Sequence, residues 1–205
     1  MEAQSQSSSL ATEGDSAMLR TAVPVIGSML VCSAALCSSM WDEYLSRPDS
    51  STASSLIEVV NGLGCDFTAT PSSQQVATLS RLLTSGSRGV ASIRPAFVIT
   101  RCLDGGDLED LYRALGKVLV GRPKDVLREL GAEQVSETQL RFLVATLPLS
   151  LVDNLNGQIA ELDLRAARVK SANHSSTAEL SRRILQAIAE RRNELVVIRA
   201  QTRAR

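Results

Sequence analysis

The sequence predicts a mainly α-helical protein: a bundle of about four principal helices, several shorter ones, and one small β ribbon. Three observations carry that expectation. Apolar residues recur at helical spacing, most cleanly at Leu108, Leu111, Leu115 and Leu119. Capping patterns punctuate these stretches, as in Ser136-x-x-Gln139 and Ser176-x-x-Glu179. Only one run reads as β, Phe97-Val98-Ile99-Thr100. The chain has 205 residues, 44% of them hydrophobic, which suits one domain with a real core. Aromatic residues make up 3%, so that core must be built from Leu, Val, Ile and Ala.

The elements follow in order. Residues 1–20, rich in Ser, Gln, Ala and Thr, read as a flexible N-terminal arm, and 21–200 as the helical domain. Residues 21–41 carry no charge, which leaves three readings open: a membrane span, a buried element or a subunit contact. Pro24, Gly27 and several hydroxyl residues weaken the span, and the acidic arm before it argues against a secretory signal. Ser51–Val60 reads as a helix that ends in the turn Asn61-Gly62-Leu63-Gly64, and Ser72–Leu83 as a second, with Val76, Leu79 and Leu83 on one face. Ala91–Arg101 holds the β run, which Pro95 confines to an edge or short ribbon. Asp107 is the expected cap of a helix to Val120, with Gly121 as its stop.

A middle block follows. Lys124–Leu130 is a short helix, Ser136 opens another that Pro148 closes, and a longer face runs from Leu151 to Val169, interrupted at Asn156-Gly157. The last helix opens at the Ser176 capping box. Leu180, Ile184, Ile188, Leu195 and Ile198 form its inward face, and 201–205 a short basic tail.

Residue usage argues against an enzyme. His174 is the single histidine, and Cys32, Cys37, Cys65 and Cys102 form no CxxC pair, so neither a zinc site nor a nucleophilic triad has support. No phosphate-binding glycine loop is present, and no metal or cofactor is expected. Six aromatics are too few for a base-stacking platform.

Charge is more informative. The net charge is zero, yet residues 161–205 carry 10 basic and 5 acidic groups while 1–160 carry 12 and 17. One end is therefore a candidate anion-binding surface. Nineteen of the 22 basic residues are Arg, whose planar fork suits phosphate. Arg182 and Arg183 fall near the start of the last helix, where the macrodipole disfavours cations. That placement fits either a phosphate site or a solvated polar face.

Several motifs resemble the coat proteins of rod-shaped plant viruses of the tobamovirus (virgavirus) type. Ser38-Ser39-Met40-Trp41, Leu56-Ile57 and Asn61-Gly62-Leu63-Gly64-Cys65-Asp66-Phe67 are similar to that family's opening. Ile93-Arg94-Pro95-Ala96-Phe97 resembles its Arg-Phe-Pro ribbon, and Leu108–Gly121 with Arg122 its inward helix and Arg-bearing loop. Thr177-Ala178-Glu179 and Arg182-Arg183 resemble the start of its last helix. The chain departs from the pattern in three ways: Val120-Gly121 stand where an acid is expected, no carboxylate directly follows Arg183, and the long tail is missing. Residues 124–173 make an extra inner block too long for compact members.

The resemblance implies a four-helix bundle that stacks into a helical rod around single-stranded genomic RNA. It implies a capsid protein of the virion and host cytoplasm, with itself and RNA as partners. Arg122, Arg182 and Arg183 are then the phosphate contacts, with Arg128, Arg165 and Arg168 as secondary candidates. Sequence-independent phosphate binding needs no base-reading aromatics. Glu129, Glu133, Glu161 and Asp163 are candidates for a repulsive carboxylate switch, or are ordinary solvated helix faces. The alternative to the capsid reading is a single-span, membrane-anchored helical subunit of a larger complex.

Overall fold

A computed structural model describes residues 34–65 and 70–203. The arm expected at 1–20 and residues 21–33 of the uncharged stretch lie outside the described residues. The described chain is mainly α: α1 (Ala34–Ser46), α2 (Ser50–Leu63), α3 (Ser73–Leu83), α4 (Ile93–Ile99), α5 (Gly105–Gly121), α6 (Pro123–Gly131), α7 (Glu137–Ala145), α8 (Leu155–Ala172) and α9 (Ala178–Arg203). No strand occurs among the described residues.

The expected ribbon is therefore corrected: residues 93–99 are helical. Ile93, Pro95, Ala96, Phe97, Val98 and Ile99 are all buried. A run enclosed on nearly every side has no polar face to reveal a period, and packing outweighs the β preference of its residues. Pro95 sits in the first turn, where its missing N–H costs nothing.

Four of the described helices, α2, α3, α7 and α8, start at side-chain caps. Ser72 and Gln75 close a capping box at α3, as Ser136 and Gln139 do at α7. Other boundaries differ from the sequence reading. Helix α5 starts at Gly105 with Asp107 already in its first turn, and α8 starts at Leu155, so Asn156-Gly157 open that helix rather than interrupt it. Before α9 the box is built by His174 and Thr177 around a short 3₁₀ turn, not by Ser176 and Glu179. Helix α9 also continues to Arg203, through most of the expected tail.

Asp49 caps α2 by accepting from the Ser51 and Thr52 amides at 3.0 and 2.9 Å. The Thr52 amide and then Arg47 hold its carboxyl down at about 2. A folded pKa below the unfolded value of about 3.9 adds stability that is complete above that value. It is lost as pH falls through the folded one. Acid titration from pH 5 to 2 is expected to fray α2 in wild type, with the Asp49→Asn variant showing a smaller acid dependence by far-UV circular dichroism.

One core holds the helices together. Trp41 and Tyr44 of α1 are buried in an edge-on pair, and the Tyr44 hydroxyl donates to Ser92 Oγ at 3.0 Å. Burial pushes that hydroxyl up to about 12. The C-terminal part of the uncharged stretch, from Ala34 to Trp41, is thus part of α1. No helix among the described residues is long and apolar enough to cross a membrane.

Helices α3 and α5 lie parallel. Ser73 donates to Asp107 at 2.6 Å near their starts, and Arg122 donates to the Leu83 carbonyl at 2.6 Å near their ends. Helices α8 and α9 form an antiparallel pair, tied by Arg192–Asp163 at 2.7 Å and Arg199–Asn156 at 3.1 Å. The middle block is part of this core: Val126, Leu130, Leu140, Leu143, Ile159 and Leu162 are buried in the same cluster as Leu79 and Leu115. Cys65 and Cys102, which no spacing motif pairs, form a disulfide between the end of α2 and the turn before α5.

Candidate nucleic-acid interface

Helices α7 and α9 run side by side in the same direction. Arg183 of α9 reaches Glu137 at the start of α7 at 2.7 Å, and Arg141, one turn on, stands 3.6 Å from Glu190. Between them lies a surface groove of about 290 Å³ lined by Arg141, Arg182, Arg183, Glu137, Glu179 and Glu190 among others. The structure thus joins the two adjacent arginines of α9 to a third, Arg141, that local sequence patterns do not single out. Its only sequence signal is the residue type, because its partners are more than 40 residues away.

Each guanidinium in the groove already has a carboxylate. Arg182 grips Glu179 with two hydrogen bonds, of 2.6 and 2.9 Å, and Arg183 adds a bond to the Val135 carbonyl at 2.7 Å. The Arg182 hydrogen bond, then the charges of Arg182 and Arg183, hold the Glu179 carboxyl below the usual carboxylate range. The same contact holds Arg182 above its ordinary value. The site is therefore charge-balanced rather than bare.

The other expected phosphate contacts sit elsewhere. Arg122 lies at the α5–α6 junction and donates to the carbonyls of Leu83 and Gly86, closing the end of α3. A Cβ on Gly89 would fall 2.5 Å from the Leu82 and Leu83 carbonyls and 2.8 Å from Arg122, so only glycine permits this approach. Arg122 does not line the α7–α9 groove.

Arg165 is corrected outright. Its side chain is 1% exposed and cannot meet a phosphate. It bonds Glu161 at 3.0 Å and donates to the carbonyls of Leu143, Val144 and Thr146 at 2.9, 3.3 and 3.4 Å. These carbonyls belong to the C-terminal turn of α7 and the residue after it, which have no helical donor of their own. Burial pulls the guanidinium below its ordinary value, and Glu161 opposes that shift. A Cβ on Gly116 would fall 2.6 Å from Arg165 Nη2, so glycine in α5 makes the room.

Arg128 is exposed and bridges Asp125 and Glu129. Arg168 is exposed on α8, with no ion pair among the described residues. The four switch carboxylates do not face one another as a bare cluster. Glu129 pairs with Arg128, Glu133 with Arg94, Glu161 with Arg165 and Asp163 with Arg192. Within one subunit each of these acids therefore has a cation beside it. Among the described residues no His, Cys, Asp and Glu group has metal-binding geometry. No family model, curated protein or solved structure matches the chain.

Proposed function

We propose that the chain is a structural, non-enzymatic protein that packs against copies of itself and holds single-stranded RNA by its phosphates. In its sharpest form this is the capsid protein of a rod-shaped helical virus, present in the virion and the host cytoplasm. One observation supports it best: Arg141, Arg182 and Arg183, from two helices, meet in one surface groove. Surface ion pairs are worth about 0–1 kcal/mol, so a phosphate can replace a carboxylate partner at little cost. A balanced groove binds one phosphate weakly. Summed over a long polymer of subunits, weak sites hold an RNA firmly.

Two features differ from the resembled family, the helix at 93–99 and a middle block inside the core. They bear on the fold comparison, while the functional reading rests on the groove. Negative-stain microscopy of the purified full-length protein, with its 260/280 nm absorbance ratio, tests it. Rods or discs carrying nucleic acid are expected. Nucleic-acid-free monomers that stay so with added single-stranded RNA would overturn the reading.

A further inference from the structure

The last turns of α9 carry an apolar face that the core does not use. Leu195 packs inward and Arg199 reaches back to Asn156, which turns the opposite face outward. Glu194, Val197, Ile198 and Gln201 share that face at spacings of three and four residues. Val197 is 55% exposed and Ile198 42%. Ile198 thus leaves the inward face expected for it.

A groove of about 690 Å³ runs between the parallel helices α3 and α5. Val76, Ala77 and Ala114 give it apolar walls, and Leu149, 63% exposed, stands at its edge. Arg81 and Lys117 lie towards the ends of the two helices, and Lys117 has no ion pair among the described residues. Asp107 and Asp110 lie towards the start of α5.

We propose that the outward face of α9 in one copy docks into the α3–α5 groove of the next. This rests on the self-association part of the reading above. In an antiparallel arrangement Glu194, which bonds Arg191 of its own helix at 2.7 Å, meets Arg81 and Lys117, while Val197 and Ile198 cover the apolar walls and Leu149. Gln201 meets Asp107 and Asp110, which bond Ser73 and Arg113 at 2.6 Å each. The lengths agree: Glu194 to Gln201 and Asp110 to Lys117 each span seven residues, about 10 Å of helix. The arrangement also sets the C-terminal end of α9 near the N-terminal ends of α3 and α5, where helix dipoles attract. Face and groove are different surfaces, so the contact is heterologous. Each end of a chain of copies keeps one free half, and the contact propagates as an open filament.

Two variants test it, V197E/I198E in the face and A77R in the groove. All three positions are exposed, so both variants are expected to keep the wild-type circular dichroism and melting temperature. In analytical ultracentrifugation each alone is expected to stay monomeric where the wild type polymerises. Mixed in equal amounts they are expected to form a dimer and stop, because one intact face meets one intact groove. Polymerisation of either variant, or a mixture that stays monomeric, overturns the contact. If the variants polymerise like wild type, only this contact fails. If the wild type itself never associates, the self-association reading fails with it.

Discussion

Replacing Arg165 with Met is expected to destabilise the subunit by about 3–5 kcal/mol, the cost of removing one partner from a buried pair. The guanidinium serves four acceptors in a site closed to water: one carboxylate and three carbonyls of the α7 end. Met fills similar space but donates nothing. Glu161 would be left half-buried without its cation, and the last turn of α7 without its cap. The double variant R165M/E161Q is expected to recover part of the loss, since it removes the stranded charge. Gly116→Ala tests the same site from α5, because a new methyl group must push against a guanidinium that its acceptors pin in place. Urea unfolding followed by circular dichroism reads all three. A cost for R165M below about 1 kcal/mol, the worth of one ordinary hydrogen bond, would rule out the capping role.

The double variant R182A/R183A is expected to fold and to lose RNA-containing rods. Arg182 is exposed and bonds only its own helix, while Arg183 ties α9 to Glu137 of α7 and to the Val135 carbonyl just before it. Losing these surface contacts costs about 1–2 kcal/mol of stability, which a domain of this size tolerates. Their loss for RNA is different in kind. Each phosphate contact to a single strand contributes about 0.7 to the slope of log affinity against log salt. Two lost contacts are expected to flatten that slope by about 1.4 in anisotropy titrations with a short oligonucleotide. An unchanged affinity and slope would show that phosphates bind elsewhere. Arg168→Ala is the informative comparison, because that exposed cation has no internal ion pair among the described residues.

Helix positions were largely legible, and the reason is local. The serine caps at Ser72 and Ser136, and the apolar face of α5, write their signals within a few residues of the structure they make. Helix α4 was not legible, because a segment buried on nearly all sides shows no periodicity and its β-branched residues point to the wrong element. The site was half legible. Arg182 and Arg183 are neighbours in sequence and remain so in the groove, whereas Glu137 and Arg141 arrive from 40 to 50 residues away. Arg165 shows the hardest case. In sequence, Arg165 reads as a secondary phosphate contact and Glu161 as a switch carboxylate or a solvated helix face. Only tertiary packing reveals that the arginine is buried and caps another helix.

Residues 124–173 looked like an insertion, something added to a complete bundle. The packing of α9 says otherwise. Its main partners are α6, α7, α8 and the 3₁₀ turn before it, all but the last supplied by that stretch. The basic C-terminal helix is mounted on the rest of the molecule through the block. Excising 124–173 would cast α9 loose and take away the Glu137 and Arg141 side of the groove. The stretch 124–173 is therefore no removable module.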